Sequence, residues 1–202
     1  MVTSRTSEMR LYSSGMQRLY INATERARFL RAAKQARPEV NSLCLTLTYT
    51  GCRISEALAL TPSSIQMSAR LITIRTLKRR DANTVREVPV PRVLILRLQE
   101  IHSLAGSTPS ERDTPLWQHR GKQLSRSTAY RWVKAVMKQA GIAGAQASPK
   151  GLRHGYGIHA MRSGVQLNML QKWMGHASME TTAIYANAMG KEERAIADRM
   201  WT

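Results

Sequence analysis

Residues 148–157 read SPKGLRHGYG, and residues 173–187 read WMGHASMETTAIYAN. In chain order they present Arg153, the pair Gly175 and His176, and Tyr185, nine residues beyond the histidine. Arginine holds phosphate oxygens in a two-pronged fork. Histidine donates to a phosphate oxygen or moves a proton there. Tyrosine attacks phosphorus and becomes covalently attached to it. The three together, in this order, point to chemistry on a phosphodiester.

Composition agrees with that target. The 202 residues carry 31 Lys and Arg against 13 Asp and Glu, a formal net charge of +18. Such a surplus attracts polyanions, so nucleic acid is the expected partner, with a membrane surface as the alternative. No apolar run approaches the ~20 residues of a membrane span, and no secretory signal pattern precedes the fold. A cytoplasmic, nucleoid-associated protein is expected, with no membrane partner. Cys44 and Cys52 lack His or Cys neighbours at ligand spacing, so they read as buried reduced thiols rather than zinc ligands. There is no phosphate-cradling glycine loop and no acidic metal cluster, so neither cofactor nor metal is expected.

Working outward, residues 49–58 read YTGCRISEAL and place Arg53 at a junction between two apolar helical stretches. The competing reading of Arg53 is structural: a helix C-terminal cap or a pair with Glu56. Four separated segments now stand in order: residues 49–58, 152–154, 174–176 and 181–185. Together they resemble the signature boxes of the tyrosine recombinases, also called the phage integrase family. The resemblance covers about residues 21–187, most of the chain. It implies a catalytic domain that is mainly α with a small antiparallel β-sheet or hairpin. It also implies roles. Arg53 and Arg153 clamp the scissile phosphate, Tyr185 is the nucleophile, and His176 bonds a phosphate oxygen. A lysine on a β-hairpin protonates the leaving 5′ oxygen, and Lys78 is the best match. The family usually has histidine three residues before the second arginine; here Lys150 stands there, a poorer base at neutral pH. His154, His159 and Tyr156 are read as structural.

The rest of the chain frames these residues. Thr24 is expected to cap a helix to about Ala36, with Ala27, Leu30, Ala33 and Phe29 inward. Pro38 closes a turn, and a nearly all-apolar core helix runs to Thr50, ended by Gly51. Residues 71–75 and 85–90 alternate as strands of a hairpin, whose basic tip carries Lys78, Arg79 and Arg80. A short amphipathic helix follows over 93–104, and Leu116 and Trp117 form an apolar anchor. Ser125 or Ser127 caps a helix to Ala140 with Ala129, Trp132, Val133, Val136 and Met137 inward. Arg126, Arg131, Lys134 and Lys138 line its other side, and the first three are candidate DNA contacts. Helices over 149–163 and 167–174 carry the two later boxes, and Ser178 caps the helix of Tyr185.

Three units are expected: a basic arm over 1–20, in which Arg5, Arg10 and Arg18 contact phosphates, a catalytic domain over 21–188, and a tail helix over 189–202 exchanged between subunits. With so little before the catalytic domain, the chain resembles short inversion-type recombinases that lack the N-terminal core-binding domain. The resemblance implies a site-specific recombinase of a mobile element, working through a 3′-phosphotyrosyl link in integration, excision, inversion or resolution. Its expected partners are double-stranded DNA, a homotetramer on two DNA sites, and accessory DNA-bending proteins. The alternatives are a non-catalytic DNA-binding regulator of the same fold and a type IB topoisomerase-like activity.

Overall fold

The apolar stretch before Arg53 forms the central helix, α2 (Pro38–Thr50). Its sequence alternates leucines with Thr46, Thr48 and Thr50, a pattern that also suits a strand. The helix is possible because each threonine satisfies its own hydroxyl. Thr46 donates to Ser42 O at 2.9 Å, Thr48 to Cys44 O at 2.7 Å and Thr50 to Thr46 O at 2.7 Å. No polar group is then stranded when these threonines are buried.

The computed structural model describes residues 10–76, 84–104, 112–186 and 201. Around α2 stand α1 (Ala23–Lys34), α4 (Arg92–His102), α5 (Arg126–Gln139) and α6 (Pro149–Arg162). Between α2 and α4 lie the short α3 (Ile54–Leu58), a 3-10 turn (Pro62–Ser64) and the strands β1 (Ile65–Gln66), β2 (Leu71–Arg75) and β3 (Val85–Pro89). The strands form one antiparallel sheet in the order β1-β2-β3, with Ile72 opposite Val88 and Ile74 opposite Arg86. A second, two-stranded sheet, β4 (Gln118–His119) and β5 (Lys122–Gln123), precedes α5. The chain closes with α7 (Leu167–Met174) and α8 (Glu180–Ala186). One large core holds α1 to α5. A smaller cluster of Leu11, Ile158, Ala160, Leu170, Met174 and Tyr185 seats α7 and α8 on α6.

The mainly helical class with a small antiparallel sheet is as expected, and several local readings change. Asn22, not Thr24, caps α1: its Oδ1 accepts the Glu25 amide at 2.8 Å while Glu25 Oε2 accepts the Asn22 amide at 3.0 Å. That reciprocal pair satisfies two orphan donors at once. It turns Ala27 outward and brings Phe29, Ala32 and Ala33 inward. Pro38 opens α2 rather than closing the preceding turn, since its missing amide costs nothing at the first helical position. Trp132 is only half-buried. Strand β1 and the β4–β5 pair were not expected; strands of two residues leave no alternation to read.

Residues 10–20 pack onto the domain instead of standing off as an arm. Leu11 is buried, Tyr12 bridges Arg18, and Arg18 forks onto both carboxylate oxygens of Glu25. Arg18 is therefore a partner of Glu25, with its side chain still 27% exposed. The segment lacks a sequence period because its contacts are tertiary. Residues 77–83, with Lys78, Arg79 and Arg80, lie outside the described residues, as does the expected tail helix over 189–202 apart from residue 201. No helix among the described residues is long and apolar enough to cross a membrane.

Candidate active site

The site is assembled where three helix ends meet. Gly51 ends α2 in the left-handed conformation, φ 61°. A Cβ there would lie 2.3 Å from Cδ1 of Tyr156, so only glycine lets the α2 terminus approach α6. Arg53 follows as the N-cap residue of α3. Glu56, in the first turn of α3, accepts the Arg53 amide on Oε2 and the Arg53 Nη1 on Oε1, both at 2.9 Å. The structural alternative for Arg53 is thus partly realised: it does pair with Glu56. Its side chain remains 27% exposed, which leaves donors facing outward.

Arg153, on α6, is almost fully buried and bridges two other helix ends. It donates Nη1 to Gly51 O at 2.6 Å and Nη2 to Met174 O at 2.8 Å. Both acceptors sit at helix C-termini, where backbone carbonyls lack partners and the helix dipole favours a cation. Burial, then the charge of Arg53, lower the Arg153 pKa to about 10, so the guanidinium stays cationic at neutral pH.

Gly175, φ 65°, ends α7 and turns the chain to His176. The imidazole is buried, with Nδ1 2.9 Å from Thr182 Oγ1. Nε2 is buried and has no hydrogen-bond partner among the described residues. Burial, followed by the charges of Arg153 and Arg53, pushes the His176 pKa down to about 3, so the ring is neutral. The Thr182 hydroxyl can donate to Nδ1 or accept from it; the tautomer in which it donates carries the ring proton on Nε2, where an incoming oxygen would accept it.

Tyr185, on α8, is fully buried. Its ring stacks on His176, centroids 6.2 Å apart and planes inclined by 16°. Its hydroxyl lies 3.1 Å from His154 Nδ1. Burial pushes its pKa up to about 12, against the pull of Arg153 and Arg53. Burial, then Lys150 and Arg153, hold the His154 pKa down at about 4.

Arg53, Arg153, His176 and Tyr185 thus come together from α3, α6, the α7 end and α8. Lys150 stands exposed on the first turn of α6, one helical turn before Arg153. Of the candidate DNA contacts, Arg126 and Arg131 are exposed on α5. Lys134 is half-buried and donates to Ala147 O at 2.8 Å, which ties α5 to the segment leading into α6. Cys44 and Cys52 are buried free thiols whose pKa values burial raises to about 12 and about 11. Among the described residues no group of His, Cys, Asp and Glu is arranged to hold a metal.

Two residues escaped the sequence reading. His154 touches the tyrosine hydroxyl, not merely Arg153. Arg86, on β3, is buried and donates Nη2 to Glu56 Oε2 at 2.6 Å, Nη1 to Thr76 Oγ1 at 2.9 Å and Nε to Trp173 O at 2.8 Å. Burial disfavours the Glu56 carboxylate, but the charge and hydrogen bond of Arg86, with the Arg53 amide, carry its pKa below the usual range. The signal for Arg86 was present: it shares a strand face with buried Val88 and Val90. A cation on that face must find partners inside.

The phage integrase family model matches residues 16–192. The chain belongs to this family. It is 32% identical over 159 residues to the tyrosine recombinase XerD of Brucella abortus biovar 1 (strain 9-941), covering 77% of the chain and 49% of that protein. XerD of Mycobacterium leprae (strain TN) is 34% identical over 153 residues, covering 72% and 47%. The chain spans about half the length of the curated relatives it matches. The integrase fold is equally plain in the crystal structure of XerA recombinase, with a TM-score of 0.74 and 25% identity, covering 90% of this chain and 64% of that one. The XerH recombinase bound to its difH substrate before cleavage shares the fold, with a TM-score of 0.72 at 20% identity, covering 86% and 55%.

Proposed function

We propose that this chain carries the catalytic domain of a site-specific DNA recombinase. The observation that supports it most is the meeting of two arginines, one neutral histidine with a buried unpartnered nitrogen, and one tyrosine. A phosphodiester supplies what these groups lack: anionic oxygens for Arg53 and Arg153, and an acceptor for His176 Nε2. The net charge of +18 suits double-stranded DNA as the partner.

The chemistry is a transesterification. Tyr185 Oη forms a bond to phosphorus, the bond to the 5′ oxygen breaks, and the 3′ end remains as a phosphotyrosyl ester. Arg53 and Arg153 stabilise the extra charge of the pentacoordinate state. Lys78 protonates the leaving 5′ oxygen, Lys150, next to the site, donates to a phosphate oxygen as a point charge, and the tyrosine proton passes to water. Arg79, Arg80, Arg126 and Arg131 hold backbone phosphates. The ester retains the bond energy, so rejoining needs no nucleotide cofactor. Four copies act on two DNA sites, with the tail over 189–202 docking on a neighbouring copy, and DNA-bending proteins assist assembly. For attack, the Tyr185 hydroxyl leaves His154 and the ring leaves its packed position.

A nicked suicide substrate, from which the 5′ fragment diffuses away, should trap a covalent protein–DNA adduct. Tyr185→Phe should abolish it; an adduct formed by that variant refutes the assignment. The complete burial of Tyr185 favours one second reading, a DNA-binding regulator of the same fold that never cuts. Sequence-specific binding without any adduct would establish that reading instead.

A further inference from the structure

We propose that Arg86 is a positioning residue for this site: one buried guanidinium fixes Arg53, through Glu56, and the turn that carries His176 to the root of the β2–β3 hairpin. The inference rests on the function proposed above and extends it to a residue that does not touch substrate.

The geometry carries it. The three partners of Arg86 belong to three separate pieces of the molecule: Glu56 on α3, Thr76 where β2 ends, and the Trp173 carbonyl in the last turn of α7. The hairpin root is closed beside it, the Thr76 amide donating to Thr84 O at 2.9 Å. The Arg86 side chain is only 4% exposed, so it is no DNA contact in this arrangement. Its carboxylate partner is shared, since Glu56 also holds the amide and guanidinium of Arg53. Whatever moves Arg86 therefore moves the carboxylate that orients Arg53. On the other side, a Cβ on Gly175 would lie 2.8 Å from Arg86 Nη1. The guanidinium thus packs directly on the turn that aims His176.

A third arginine buried beside Arg53 and Arg153 is costly for stability alone. An apolar side chain on the same inward strand face would fill the space without desolvating a cation, and buried ion pairs are weak stabilisers. What an arginine adds is a rigid planar fork that reaches three acceptors in fixed directions. A lysine, a point charge on a flexible stem, cannot hold all three together.

The test compares Arg86→Lys with wild type by single-turnover adduct formation on two suicide substrates. One carries the ordinary scissile phosphate. The other carries a methylphosphonate there, which lacks the negative charge and so demands less of the arginine clamp. On the phosphate the variant should be slower by roughly a hundredfold, the scale of a misplacement of about 1 Å. On the methylphosphonate the gap should shrink to a few-fold, while DNA affinity stays at the wild-type value. Equal losses on both substrates, or no loss on either, overturn the inference. If Arg86→Lys does not fold, Thr76→Val removes one leg of the fork with little change of shape, and the same ratio is read. A wild-type chain that forms no adduct refutes the proposed function instead. Nitrogen NMR of the DNA-free protein still tests the positioning. The Arg53 Nε–H and the His176 ring signals should both shift in Arg86→Lys, and unshifted signals overturn it.

Discussion

Gly157→Ala probes the resting place of Tyr185. A Cβ at Gly157 would meet the tyrosine ring at 2.7 Å from Cε1, 2.7 Å from Cζ and 2.8 Å from Cδ1. Three ring atoms clash at once, so no small rotation relieves the contact and the ring must withdraw as a body. Carbon atoms settle at about 3.5–4.0 Å, so the withdrawal is on the order of 1 Å. The bond from the Tyr185 hydroxyl to His154, now 3.1 Å, would then pass beyond hydrogen-bond range. Overpacking costs about 1–3 kcal/mol and the lost bond about 1 kcal/mol. The helix propensity of alanine over glycine returns about 1 kcal/mol. The net loss is about 1–3 kcal/mol, which lowers Tm by roughly 2–12 °C in a chain of this size. A displaced phenol is also better hydrated, so the Tyr185 pKa should fall from about 12 toward its ordinary value of 10.0. Calorimetry gives the first quantity. A pH titration of ¹³C-labelled tyrosine, with Tyr185 assigned by its absence in Tyr185→Phe, gives the second. An unchanged tyrosine pKa with a raised Tm would mean that the ring does not lie over Gly157, and the account of a sequestered nucleophile would fail.

Acid should destabilise the protein well above the carboxylate range. Folding lowers the pKa values of His102 and His154 to about 4 and of His176 to about 3, from 6.5. The unfolded chain binds the extra protons, so stability is complete above pH 6.5 and falls as pH drops toward 4 and then 3. At pH 5 the loss is on the order of 2 kcal/mol per histidine, and urea midpoints that match at pH 7.5 and pH 5 would contradict it. Trp117→Leu should cost about 3 kcal/mol, because the buried indole fills the core and donates to Glu39 O and Ser42 Oγ at 3.0 and 3.1 Å. A loss of unfolding free energy in urea below a third of that would show that the indole is not the anchor of its loop.

The sequence by itself determined the class of the fold and singled out Arg53, Arg153, His176 and Tyr185, which the structure brings together. Apolar helical periods, an alternating hairpin and four ordered boxes were enough, because they are local in the chain or tied to residue chemistry that few alternatives supply. Glycine stops were equally plain: Gly51 and Gly175 both adopt the left-handed conformation that ends a helix. Tertiary structure alone decided which groups face one another. Nothing local says that Arg153 anchors on the carbonyls of Gly51 and Met174, 102 and 21 residues away. Nothing local makes Arg86 a partner of Glu56, 30 residues away, or turns the tyrosine hydroxyl to His154, 31 residues away. Residues 10–20 read only as a partly ordered basic arm because their order comes from Glu25 and the Tyr185 cluster, not from any repeat of their own. The physical reason is common to all of these. A residue type limits what a side chain can do, but burial and the partners brought by packing set its charge, its proton and its direction.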